Sequence, residues 1–434
     1  MKETSWQWDG ETGGGEAPAD VIAGGGEPRG PGRRGLLIGA GVLAAGGASW
    51  AFGRSGGGGL LPVPSPTRAQ PTGPKPTTLS GPTPLWTYRG PEEMTPERLT
   101  AAPGRPVYLS PSGLQVLRPS SGDPARLVVF EPPSARQQPG DRDLPDTVVV
   151  GPDHLFATTY PGHLEARHLT DPAADWSLPL PEELEGRVRL AGYDRGVLYG
   201  YSWGHPRPGT GSLLSHLFAV QVADRSVLWV LPTDREEQPI VPTTGFRNPV
   251  LVCVRFREGH YEVVARDAAN GNELWTAPGS EDLRWCVTGA ERIYLPDGTG
   301  GVRMLRPTGE PGWTYSPAKG ESWRALPPVE NGPRLLIPRD QGTVTGNDTW
   351  SGAEVWSCRL PYPLDRRSRP VVADDTLFVP GPGASGVSAI HTTAGELGWT
   401  FKDSGPGKGV WTVAADKDRL YAGHDDVLHA LPLR

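Results

Sequence analysis

The strongest constraint on this chain is a tryptophan that returns at a nearly fixed interval. Trp176, Trp229, Trp275, Trp313, Trp356 and Trp399 are separated by 53, 46, 38, 43 and 43 residues. The residues ahead of each Trp repeat as well. Residues 265–275 read ARDAANGNELW and residues 389–399 read AIHTTAGELGW, with Gly271 and Gly395 each four residues before the Trp. Gly309 and Gly352 hold the same place before Trp313 and Trp356. The stretches 219–229 and 166–176 keep the Ala-to-Trp spacing but lose the Gly. Each copy reads as a strand, a tight turn and a second strand carrying the Trp. Gly supplies the positive φ of the turn, and an Asp or Asn bonds the turn backbone. The small Ala allows close approach. The Trp buries a large ring where a mostly polar outer strand has little else to pack.

Two more strand-like runs precede each copy, as at 283–287 and 292–295, 371–373 and 376–379, and 410–414 and 419–422. Four strands per period of about 43 residues is one blade of a β-propeller. The count closes at eight. A weak copy at 116–126 has Gly122 but Arg126 in place of Trp. The last copy begins at Leu428-His429-Ala430 and the chain ends at Arg434. Its Trp strand is supplied from the other end of the body by 85–88, with Trp86. A first strand that completes the last blade leaves no open edge. The expectation is an all-β, eight-bladed propeller of four-stranded antiparallel blades over residues 85–434. Its docking tryptophans are Trp86, Trp176, Trp229, Trp275, Trp313, Trp356 and Trp399. Seven blades is the alternative if the copy at 116–126 is not one.

Gly and Pro, 59 and 49 of 434 residues, are otherwise abundant enough to suggest low complexity. They divide by position. Residues 1–34 are polar and Gly-rich and read as a disordered cytoplasmic tail. Residues 35–53 are uncharged and follow Arg33-Arg34, and they read as a single membrane anchor. A twin-arginine export signal, cleaved near Gly47-Ala48-Ser49, is the alternative. The positive residues on the N-terminal side keep that end inside and put the propeller outside the cell membrane. The alternative signal would leave it secreted. Residues 54–84 are a Gly/Pro-rich spacer. Only six of the 42 basic residues are Lys, a skew that fits a GC-rich bacterial genome.

The body carries 35 Lys+Arg against 43 Asp+Glu. An acidic body has no electrostatic footprint for nucleic acid. Cys253, Cys286 and Cys358 form no CxxC pair and read as buried small hydrophobes. A Cys253–Cys286 disulfide is the alternative in an exported chain. No nucleophile motif, phosphate loop or dinucleotide fingerprint is present. The nine His show no metal spacing; His154, His163 and His168 are scattered.

The pattern Ala-x-Asp-x-x-Thr-Gly-x-x-x-Trp, matched best by Ala265, Asp267, Gly271 and Trp275 and then by Thr308, Gly309 and Trp313, resembles the tryptophan-docking repeat of pyrroloquinoline-quinone-type bacterial propellers. That resemblance implies the fold. It also implies one of several functions: quinone-dependent dehydrogenases, barrel-assembly lipoproteins and extracellular kinase domains share these residues. In such propellers ligands sit in the central funnel, at loops ten to eighteen residues after each docking Trp. Here those positions are Arg247, Arg284, Trp285, Trp323, Arg324, Arg369 and Trp411. Four Arg and three Trp would suit a flat anionic ligand, such as a quinone tricarboxylate or an acidic peptide. The plainer alternative is that the Trp pack the funnel wall and the Arg pair with acids such as Glu281, Asp282 and Glu321. Quinone chemistry also needs Ca²⁺ and a carboxylate base. The paired acids Asp374-Asp375 and Asp425-Asp426 fall between strands and read as solvated turns. No catalytic residue, metal ligand or cofactor is therefore assigned; quinone and calcium belong only to the dehydrogenase alternative. The expected function is an extracytoplasmic, monomeric, non-catalytic propeller. It would bind a protein, peptide or small molecule and contact the membrane through residues 35–53.

Overall fold

The computed structural model describes residues 81–434, apart from 91–98, 103, 111–112, 131–147, 160–161, 185–186, 207–212, 234–236, 242–249, 258, 282, 284, 406–408 and 434. The tail, the anchor and nearly all of the spacer lie outside the described residues. Among the described residues no helix is long and apolar enough to cross a membrane.

Among the described residues, thirty-two strands, β1–β32 in chain order, form eight four-stranded antiparallel sheets. Blades 1 to 7 use β2–β5 (100–128), β6–β9 (148–179), β10–β13 (187–233), β14–β17 (237–278), β18–β21 (287–315), β22–β25 (329–359) and β26–β29 (371–401). Blade 8 is β30 (Thr412–Ala415), β31 (Arg419–His424) and β32 (Val427–Pro432), completed by β1 (Trp86–Arg89). The closing register runs from Trp86 opposite Ala430 to Arg89 opposite Val427. Eight blades and a strand that closes the ring therefore hold. Two strand starts move: the first strand of blade 5 is Val287–Gly289, with 285–286 ahead of it, and that of blade 8 is Thr412–Ala415, with 410–411 ahead of it.

The apolar core is divided rather than central. Eight buried clusters each straddle one junction between neighbouring blades; Ile240 and Val263 of blade 4, for example, pack with Ile293 and Leu295 of blade 5. Alternation along each strand gives every blade two apolar faces, and each face is covered by the next sheet. Cys253, Cys286 and Cys358 are buried in these slabs and unbridged. Burial pushes the Cys286 thiol up to about 12.

The tryptophan repeat is the clamp between slabs. The indole N–H of Trp86, Trp229, Trp275, Trp313 and Trp356 donates to the carbonyl of Pro119, Ala268, Pro307, Thr349 and Thr392, at 2.7–3.0 Å. Each acceptor lies in the next blade's turn, between its third and fourth strands. The Gly of that turn faces the docked ring. A Cβ on Gly309 would sit 2.6 Å from Trp275, and one on Gly395 2.4 Å from Trp356. The Gly therefore answers two demands, a positive φ and room for the preceding blade's indole. The Ala of the motif faces the Trp of its own blade: Ala166, Ala219, Ala265 and Ala389 pair directly across from Trp176, Trp229, Trp275 and Trp399.

The irregular copies obey the same rule. Arg126 stands where blade 1 should have its Trp. Its guanidinium donates to the His168 carbonyl of blade 2 and makes a paired contact with Asp175, at 3.1 and 2.7 Å. Blade 2 thus receives no indole and needs no Gly; Pro172 occupies that position. In blade 3 the position is Arg225, which adopts φ +52° and lays its guanidinium 5.5 Å over Trp176. Burial pushes the Asp175 carboxyl up, but the Arg126 hydrogen bond and charge outweigh it and hold the group below its ordinary value. Such a group stabilises the fold above the ordinary carboxylate range and loses that contribution as pH falls through its folded value. Arg126→Met should therefore destabilise the propeller by about 2 kcal/mol at pH 7. In thermal melts taken across pH, the gap from wild type should narrow below about pH 4, leaving the part that belongs to the His168 carbonyl.

Candidate functional site

Because the strands alternate in direction, the ring has two faces. Turns between the first and second and between the third and fourth strands lie on the docking face. Turns between the second and third strands, and the connections from blade to blade, lie on the other. First strands of neighbouring blades contact one another around the axis, so this second face opens on the funnel.

The described funnel residues lie on that face, but the protein itself covers the tryptophans. Trp285 is 5% exposed and donates to the Ala325 carbonyl at 3.2 Å. Trp323 is 6% exposed, with the Arg339 guanidinium 4.1 Å over its ring and Tyr315 packed at 5.7 Å. Its indole N–H reaches Glu321 at 3.2 Å. Trp411 is 2% exposed, donates to the Gly383 carbonyl at 2.8 Å and lies against His424, 4.1 Å between centroids. Arg369 donates to the Arg366 and Ser368 carbonyls of its own loop. Arg247 and Arg284 lie outside the described residues. Of the five described residues, Trp285 and Arg324 line one cleft, and Trp285, Trp323 and Trp411 are all packed by the protein itself.

Arg324 is exposed and edges a cleft of about 130 Å³ between blades 5 and 6. Trp285, Ala325 and the Gly-rich turn from Pro296 to Gly301 also line it. Asp297 shapes the turn by accepting from the N–H groups of Thr299 and Gly301, both at 2.7 Å. A Cβ at Gly300, which has φ +108°, would strike the Trp323 carbonyl at 2.4 Å.

A second cluster on this face was not expected. Asp403, in the connection from blade 7 to blade 8, meets His424 at the end of β31 and His429 within β32. Asp403 Oδ2 lies 2.9 Å from His424 Nε2 and 3.4 Å from His429 Nε2. Both His are buried, and the Asp403 side chain is 21% exposed. The outward atoms have partners too. His424 Nδ1 lies 3.2 Å from Asp425 Oδ2, His429 Nδ1 lies 2.9 Å from Thr87 Oγ1, and Asp403 Oδ1 accepts from the Gly405 N–H at 3.0 Å. Burial raises the Asp403 carboxyl, but the His424 contact outweighs this and the net shift is downward. Burial lowers His429. The available signal was the pair of His flanking the Asp425-Asp426 turn. His429 is opposite Ala422, two residues from His424, so both lie diagonally on one side of the hairpin. Asp425, at φ +46°, and Asp426, paired to Arg89 at 2.9 Å, are turn acids as expected. His154 and His168 meet edge to face, rings 5.0 Å apart, and each has further local partners, Phe156 and the Ala174 carbonyl for His154 and the Thr170 and Asp171 N–H groups for His168.

A family model described as outer membrane protein assembly factor BamB matches residues 298–432. The matched stretch holds Trp313, Trp356 and Trp399. No curated protein matches the chain by sequence. Among solved structures, the computationally designed Ika8 protein superposes with a TM-score of 0.55 at 10% identity, over 81% of this chain and 99% of that one. Saccharomyces cerevisiae Sqt1 gives 0.53 at 9%, over 81% and 99%. Quinohemoprotein alcohol dehydrogenase ADHIIG from Pseudomonas putida HK5 gives 0.52 at 11%, over 81% and 76%. At these identities the likeness is one of fold.

Proposed function

We propose that the chain is a non-catalytic binding propeller, held outside the cytoplasm by residues 35–53, whose funnel face takes a protein or peptide partner. The observation that carries this reading is the coverage of Trp285, Trp323 and Trp411. A flat quinone needs an exposed aromatic face to stack on, and these three rings are already packed by Arg339, His424 and neighbouring backbone. The cleft beside Arg324 has about 130 Å³, below the roughly 300 Å³ of the smallest usual cofactor pockets. On this face Asp297 is engaged by its own turn, and Asp403 stands beside two imidazoles, a nitrogen-rich setting that does not suit calcium. The described residues do not fit the quinone or its cation. A small cleft lined by a Gly-rich turn, with an exposed Arg at its edge, suits an acidic or extended peptide segment. The assembly-factor description of the matching family model is itself a binding role.

The test uses the full-length chain. A photo-crosslinking residue at Arg324 should capture a discrete partner, and one at Trp350, 81% exposed on the opposite face, should not. Added quinone and Ca²⁺ should neither bind stoichiometrically nor support dye reduction with alcohols or sugars. Tight quinone binding with turnover would replace this reading by a dehydrogenase.

A further inference from the structure

We propose that Asp403, His424 and His429 form a divalent transition-metal site, zinc by its donor set, at the seam where the ring closes. The three donor atoms, Oδ2 and two Nε2, lie within 4.8 Å of one another. In a tetrahedral zinc site with bonds near 2.0–2.1 Å, neighbouring ligand atoms are about 3.3 Å apart. The measured separations from Asp403 are 2.9 and 3.4 Å. Two imidazoles and one carboxylate favour zinc and its neighbours over calcium or magnesium, which take oxygen.

The outer contacts argue for a metal over a plain hydrogen-bond cluster. A neutral imidazole carries one proton, yet His424 faces a carboxylate at each nitrogen, Asp403 at Nε2 and Asp425 at Nδ1. With a cation among the three inner atoms, Nδ1–H donates to Asp425 and the Nε2 lone pair points at the metal. His429 is held in the same way by Thr87, and Asp403 by the Gly405 N–H. Metal-binding His characteristically show such outer partners. Trp411 on His424 and the Phe401 edge on His429, at 5.1 Å, wall the site with apolar rings. The partial exposure of Asp403 gives a route in, and three protein donors leave one position for water or a partner's side chain. The ligands join the 7-to-8 connection to the last hairpin, and Thr87 ties in the closing strand.

The test is metal retention by the untagged full-length chain after gel filtration. About one zinc per chain is expected, and Co²⁺ in its place should give visible d–d bands. Asp403→Asn and His424→Gln should abolish retention. Thr87→Val keeps all three donors and should weaken binding about tenfold. His163→Gln, on blade 2, should bind as wild type does. The proposal fails if wild type retains no zinc, if the ligand variants and Thr87→Val retain it as tightly as wild type, or if His163→Gln alone removes it. A hydrogen-bonded cluster without a cation would then explain the contacts.

Discussion

Removing residues 85–89 should be the most damaging small deletion in the body. It takes away β1, and with it all four registered pairs to β32 and the ring contacts of Trp86 with Tyr421 and of Tyr88 with Tyr108. It also removes the indole bond to Pro119 and the ring that covers Gly122, the link between blades 8 and 1. Trp86→Ala alone should cost about 3–5 kcal/mol. At roughly 2 cal/mol/K of unfolding entropy per residue, that lowers Tm by about 5 °C in a ring this size. The deletion should cost more, because it also leaves β32 as an open edge beside an unclosed slab. Melting of the full chain, Trp86→Ala and the deletion should give that order. Equal melts for all three would mean that the seam bears no load and that blade 8 is stable with three strands.

The fold was legible because its stabilising unit is local and repeated. A strand, a Gly turn and a Trp recur within eleven residues, so the pattern survives in one dimension. Even the exceptions carry meaning once the docking partner is known. The missing Gly at Pro172 follows from Arg126 one blade earlier, since no indole arrives there. The sequence pattern placed Gly271, Gly309, Gly352 and Gly395 in turns but could not show that each faces a Trp 34–42 residues upstream. The funnel was less legible for the same reason. Trp285, Trp323 and Trp411 stand at funnel positions, but their faces are taken by Arg339, His424 and backbone from other strands. The Asp403–His424–His429 cluster spans a blade junction. His424 and His429 come together through hairpin pairing, and Asp403 joins them only through the angle between two sheets.

The second large effect separates the two roles of the turn glycines. Gly309 has φ +82°, and a Cβ there would meet Trp275 at 2.6 Å. Gly104 has φ +72° with nothing within 4 Å of the same position. Ala at Gly104 should cost only the left-handed backbone penalty, about 1 kcal/mol. Ala at Gly309 incurs that penalty and must also push the indole off its seat. Overpacking of this kind costs about 1–3 kcal/mol, and the Trp275 bond to Pro307 at 2.9 Å is lost with it. The expected total is about 3–4 kcal/mol for Gly309→Ala, several times the Gly104→Ala effect. Trp275→Ala combined with Gly309→Ala gives the decisive comparison. With the ring gone, the added methyl has nothing to strike, so the double variant should be less unstable than the two single costs added together. Strict additivity would mean that Gly309 serves the turn alone. A coupling of 1 kcal/mol or more would show that the repeated Gly is conserved in position along this chain by the preceding blade's tryptophan as much as by its own backbone.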